Sequence, residues 1–161
     1  MAETTLSGTH HPILEKDYAS AWLGIEVLQL GDGHATIRMT LRQEMLNGFG
    51  MAHGGMIFAV ADSAFALACN PAAPQAGGPD SITVAAGVDI NFIKPAFEGQ
   101  TITAVADRRS QSGRSGLYDI QIFASDAGPS SGPGATSSAL PPAPGELIAE
   151  FRGRSRTIPK K

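Results

Sequence analysis

Between His34 and Leu41, the apolar residues Ala35, Ile37, Met39 and Leu41 alternate with Thr36, Arg38 and Thr40, the period of a half-buried strand. Gly31-Asp32-Gly33 separates this run from Ile25 to Leu30 and predicts a hairpin. The period then changes. From Met56 to Cys69 only Asp62 and Ser63 carry polar side-chain groups, which predicts a helix buried around nearly its whole circumference. Alternation returns at Val88, Ile90 and Phe92, set against Asp89 and Asn91, until Lys94-Pro95 stops it. Thr101 to Asp107 and Leu117 to Phe123 read as strands joined by a polar connection, Arg108 to Gly116, and Glu146 to Thr157 closes the series. Ahead of the first hairpin, His10 to Trp22 fits a short helix or an ordered arm, and Arg42 to Ala52 is a loop leading into the long helix.

Two stretches interrupt this pattern. Pro71 to Ser81 is rich in Pro and Gly and predicts an exposed excursion. Ser125 to Gly145 is almost uncharged and of low complexity, a composition that cannot support a packed core, and it reads as a flexible loop. Closing a loop costs entropy that grows only slowly with length, so such an insertion is tolerable; a docking role for it is the alternative.

The element order is strand, strand, long helix, then strands without intervening helices, which should therefore pair antiparallel. The predicted class is α+β, a long central apolar helix wrapped by a curved sheet of five to six strands. Residues 1–161 form a single domain, with 1–22 as an N-terminal arm and 125–145 as the flexible loop. A curled sheet leaves edges, and a second copy of the chain commonly covers such an edge.

Composition narrows the function. A formal net charge of -3 gives no electrostatic footprint for nucleic acid. The single cysteine, Cys69, excludes an internal disulfide framework and a cysteine-rich zinc site. No signal peptide is visible, and the apolar run falls short of the ~20 residues that span a bilayer. The expectation is a cytoplasmic protein without membrane contact.

Against that background Asp62 is the anomaly. An ionised carboxylate buried without partners costs several kcal/mol or has its pKa raised. A fold tolerates this for a compensating hydrogen-bond network or for chemistry.

The surrounding residues carry a resemblance. NGFGMAHGG from Asn47 to Gly55, then Asp62 eight residues beyond Gly54, then GVDINFIKPAFEGQTITAVA and GLYDIQIF, resembles the hotdog-fold acyl-CoA thioesterases, and among them the phenylacetic-acid-degradation (PaaI-type) branch. The likeness covers Leu23 to Phe123 and resumes at Glu146 to Ile158; Ser125 to Gly145 and the widened Pro71 to Ser81 depart from it. It implies a hotdog fold, dimers pairing sheet to sheet, commonly a tetramer, and acyl-CoA hydrolysis with no metal or organic cofactor. Carried over by position, Asp62 matches the catalytic carboxylate and Gly54 the backbone donor to the thioester oxygen. Asn47 matches the polar residue orienting substrate or water, and His53 stands at the family's histidine position.

The residues themselves agree. A thioester carbonyl gains negative charge as it is attacked, so donors must converge on its oxygen. A helix N-terminus offers free N–H groups and a favourable dipole, and glycines at 54 and 55 let substrate approach the backbone. Yet Asp62 lies about 12 Å along a helix from Gly54, at ~1.5 Å per residue, whereas reacting groups must lie within roughly 3 Å. If both act on one carbonyl they come from different chains, with two helices antiparallel across a two-fold interface. Asp62 either attacks directly, forming a mixed anhydride, or activates water as general base.

Other assignments stay open. Asn47 alternatively caps a turn before Gly48, and His53 alternatively holds the preceding loop. Ser63 reads as packing, Asn70 as the end of the helix before Pro71, and Cys69 as a small core residue. Phe49, Met51 and Phe58 are candidates to line the acyl pocket. Lys94, Arg108, Arg109, Arg114 and the Arg152, Arg154, Arg156 series are candidates for the phosphates of coenzyme A, against the alternative of solvated surface charge. Two competing functions remain: hydration or dehydration of acyl thioesters through His53 and Asp62, and non-catalytic acyl-CoA binding.

Overall fold

The computed structural model describes residues 11–72, 80–126 and 144–161. Among these residues six strands form one antiparallel sheet: β1 (Glu26–Gly31), β2 (His34–Thr40), β3 (Ser81–Phe92), β4 (Thr101–Ser112), β5 (Ser115–Ser125) and β6 (Glu146–Pro159), in the order β1-β2-β4-β5-β6-β3. A short helix α1 (Tyr18–Leu23) precedes β1, and the long helix α2 (Gly54–Cys69) lies between β2 and β3. This is the hotdog architecture expected from the sequence. No helix among the described residues is long and apolar enough to cross a membrane.

The alternating positions supply the surface on which α2 rests. Ala35, Ile37 and Met39 of β2, Ile102, Ala104 and Ala106 of β4, Ile120 and Ile122 of β5, and Ala149 and Phe151 of β6 are buried. From the helix, Phe65 reaches the sheet with its ring 5.2 Å from Tyr118 and 6.0 Å from Phe151, centroid to centroid. Gly153 makes that seat: a Cβ there would lie 2.7 Å from the Phe65 ring.

Both ends of α2 are fixed. His53 caps the start with Nδ1, and the helix stops at Asn70, where the sequence placed its end. The Asn70 side chain donates to the carbonyls of Ala66 and Thr83 and accepts from the Thr83 N–H. It thereby ties the helix C-terminus to β3. The buried His11 adds a contact from Nε2 to the Asn70 carbonyl.

Three expectations change. The polar connection Arg108 to Gly116 is mostly strand: β4 continues to Ser112 and β5 begins at Ser115, so the hairpin turn that Ser112 to Gly116 resembles narrows to Gly113-Arg114. Ladder hydrogen bonds hold this ribbon while its side chains from Arg109 to Ser115 stay exposed, so no alternation marks it. The strand ending at Phe92 begins already at Ser81, the last residue assigned to the excursion; residues 73–79 of that excursion and 127–143 of the flexible loop lie outside the described residues. Finally, α2 is not covered all round within one chain. Met56, Phe58, Ala59, Asp62, Ser63 and Ala66 are only partly buried.

Candidate active site

Asp62 sits on the less covered side of α2, half-buried in the chain. Burial alone pushes its carboxyl above the ordinary aspartate range, because no cation or donor offsets the lost hydration. Among the described residues no hydrogen bond or ion pair reaches this carboxylate. A purely structural buried aspartate would have one. Its neighbour Ser63 turns away and shares a 3.0 Å hydrogen bond with Ser20 Oγ, which in turn meets Asp17 at 2.6 Å, so Ser63 anchors α1 to α2.

The start of α2 has one open donor. The Met56 N–H bonds to the His53 carbonyl at 2.8 Å, and the Gly55 N–H donates to His53 Nδ1 at 2.9 Å. The N–H of Gly54 has no partner among the described residues. His53 is therefore the helix cap, its backbone held by a 2.8 Å bond to the Met45 carbonyl. The dipole of a sixteen-residue helix points its positive end at this position.

Asn47 holds the turn before the helix. Its Oδ1 accepts from the N–H groups of Phe49 and Met51 at 2.9 and 3.2 Å, and its own N–H bonds to the Met51 carbonyl. Phe49 projects from this turn 86% exposed. Phe58 instead faces the sheet, with its ring edge-on to Phe151 at 5.4 Å. Phe49 and Phe58 thus point to different surroundings within one chain, while Met51 is partly buried in the turn.

A residue the sequence pattern hid lies nearer. Phe92, which alternation assigns to the core, is 57% exposed, and its Cζ would stand 3.2 Å from a Cβ on Gly54. The signal available in the sequence was its position as the last apolar residue before Lys94-Pro95 but one, at the end of the alternating run.

The candidate cations fall into two groups. Lys94 pairs with Glu146, Arg108 grips Asp32 through two bonds of 2.9 and 3.0 Å, and Arg109 and Arg152 share Asp119. The paired guanidiniums hold the Asp119 carboxyl below its usual range. Arg114, Arg154 and Arg156 have no acidic partner among the described residues. A cavity of about 290 Å³ is lined by Arg109, Asp119 and Arg152 among others, and neither Asp62 nor Gly54 is part of its lining.

Cys69 does not compete as a nucleophile. Burial pushes its thiol up to about 12, and it donates to the Phe65 carbonyl at 2.9 Å. Among the described residues no group of three His, Cys, Asp or Glu is placed to hold a metal ion.

The model of the thioesterase superfamily matches residues 49–130, which span the turn at Phe49, α2 and strands β3 to β5. The chain belongs to that superfamily. Over 112 residues it is 40% identical to the acyl-coenzyme A thioesterase PaaI of Escherichia coli (strain K12), covering 70% of this chain and 75% of that one. The structure of the E. coli PaaI protein superposes with a TM-score of 0.72 at 33% identity, covering 92% of this chain and 90% of that one. A mutant of the phenylacetic acid degradation protein PaaI from Thermus thermophilus gives 0.68 at 28% identity, covering 87% of this chain and 98% of that one. As a PaaI-type member with a hotdog fold, the protein is a thioester hydrolase.

Proposed function

We propose that this thioesterase hydrolyses acyl-CoA thioesters, aryl-bearing ones of the phenylacetyl type foremost, to the free acid and coenzyme A. The observation that carries the reading is that, among the described residues, the half-buried Asp62 carboxylate has no partner and the N-terminal N–H of the same helix, Gly54, is unbonded. The Gly54 N–H receives the thioester oxygen as charge develops on it. Asp62 acts on the carbonyl carbon, as nucleophile or through a water it deprotonates. The turn that Asn47 organises would orient substrate or water, and His53 keeps the helix start in shape.

Eight helical residues separate Gly54 from Asp62, about 12 Å, so each reaction site takes Gly54 from one chain and Asp62 from a second. A dimer with two composite sites follows, and a dimer of dimers extends it. Gly55, Ala59, Asp62 and Ala66 recur along the less buried side of α2 at spacings of four, three and four, the stripe that a second α2 would cover.

The test is free-thiol release from a panel of aryl- and alkyl-CoA thioesters. Release of thiol with matching acid supports hydrolysis. A changed enoyl absorbance without thiol would favour the hydratase reading, and tight binding without turnover a non-catalytic acyl-CoA binder.

A further inference from the structure

We infer that Phe92 is a specificity-determining residue for the acyl group, an inference that rests on the thioesterase reading of Gly54. Phe92 ends β3, and its side chain falls on the helix side of the sheet. Its Cζ, at 3.2 Å, and its two Cε atoms, at 3.6 and 3.7 Å, are the nearest neighbours of a Cβ built on Gly54. The ring therefore rests tip-first against the residue whose N–H is open. Yet Phe92 is 57% exposed, so the described residues leave much of its surface uncovered. An open backbone donor and a part-exposed aromatic ring thus belong to two touching residues.

Geometry connects them to the substrate. A carbonyl oxygen accepting from Gly54 lies about 2.9 Å from the nitrogen. Its carbon follows about 1.2 Å further on, and the first acyl atoms one bond beyond. Those atoms reach van der Waals range of the Phe92 ring. A planar aryl group can meet that ring in an offset or edge contact, which a flexible alkyl chain cannot reproduce. Such a contact corresponds to about 2- to 12-fold in discrimination.

The experiment compares kcat/KM of the full chain and its Phe92→Leu and Phe92→Tyr variants toward phenylacetyl-CoA, benzoyl-CoA and hexanoyl-CoA. The leucine variant is expected to lower the aryl-to-hexanoyl ratio by about 2- to 12-fold, and the tyrosine variant to keep it. Phe92→Met carries the same expectation and replaces the leucine variant if that one melts early. An equal loss on all three substrates, which a ring touching the common coenzyme arm would give, overturns the inference, as does an unchanged ratio. Failure of the underlying reading looks different: the wild type itself would then release no thiol from any of the three.

Discussion

The N–H of Gly55 donates to Nδ1 of His53 at 2.9 Å, which leaves the N–H of Gly54 as the open donor at the start of α2. A histidine engaged in this way is a helix cap first. Replacing His53 by alanine is expected to cost about 1 kcal/mol of stability and to leave most of the hydrolytic rate, read by chemical denaturation and thiol release. Were His53 the acid or base of a hydratase, its loss would instead cost about 10²- to 10⁴-fold in rate with intact fold.

Gly54→Pro tests the donor itself. Proline suits the first helical position, and His53 at ψ 131° has the extended backbone that precedes proline. The substitution deletes one N–H while the Phe92 ring yields a few tenths of an ångström. A drop in kcat of about 10²- to 10³-fold is expected, with the helix content of the wild type by circular dichroism.

The composite arrangement follows from mixing. Gly54→Pro and Asp62→Ala chains, denatured and refolded together, should regain activity that neither shows alone, because each mixed dimer holds one site with both groups intact. Sites confined to one chain would regain nothing.

Asp62 should also set a pH dependence of stability. Burial raises its folded pKa above the ordinary value of about 3.9, so the charged form is the one the fold disfavours. Its favourable contribution is complete below that ordinary value and is lost as pH rises through the folded one. Melting temperatures should therefore show Asp62→Asn gaining on the wild type between acid and neutral pH. The acid limb of kcat/KM should lie above the ordinary aspartate range and vanish in the variant.

Much of this was legible because burial imposes period. The alternation around Ile37 and Met39 placed β2, and an apolar run interrupted by Asp62 and Ser63 placed α2, since both face one core. Where side chains leave the core the signal fades: the ribbon from Arg109 to Ser115, held by backbone pairing and by exposed bonds such as Arg109 to Asp119, reads only as a polar connection. Contacts made across the fold were equally hidden. Nothing near Arg108 in sequence announces Asp32, and nothing near Phe92 announces Gly54. The less buried side of α2 belongs to the same class: nothing in its apolar run announces that Met56, Ala59 and Ala66 stay partly exposed among the described residues.

Direct attack by Asp62 forms a mixed anhydride, and water opening it at the Asp62 carbonyl carries solvent oxygen-18 into that carboxylate during a single turnover, whereas general-base catalysis leaves the protein unlabelled. Label found in the Asp62 peptide by mass spectrometry therefore establishes direct attack.

The hydrolytic chemistry assigned to this chain rests on Asp62. The deciding measurement is kcat/KM for phenylacetyl-CoA by thiol release, wild type beside Asp62→Ala, with folding checked by thermal melting. A loss of at least about 10²-fold in a folded variant is the predicted result. A folded Asp62→Ala enzyme within a few-fold of wild type would contradict it.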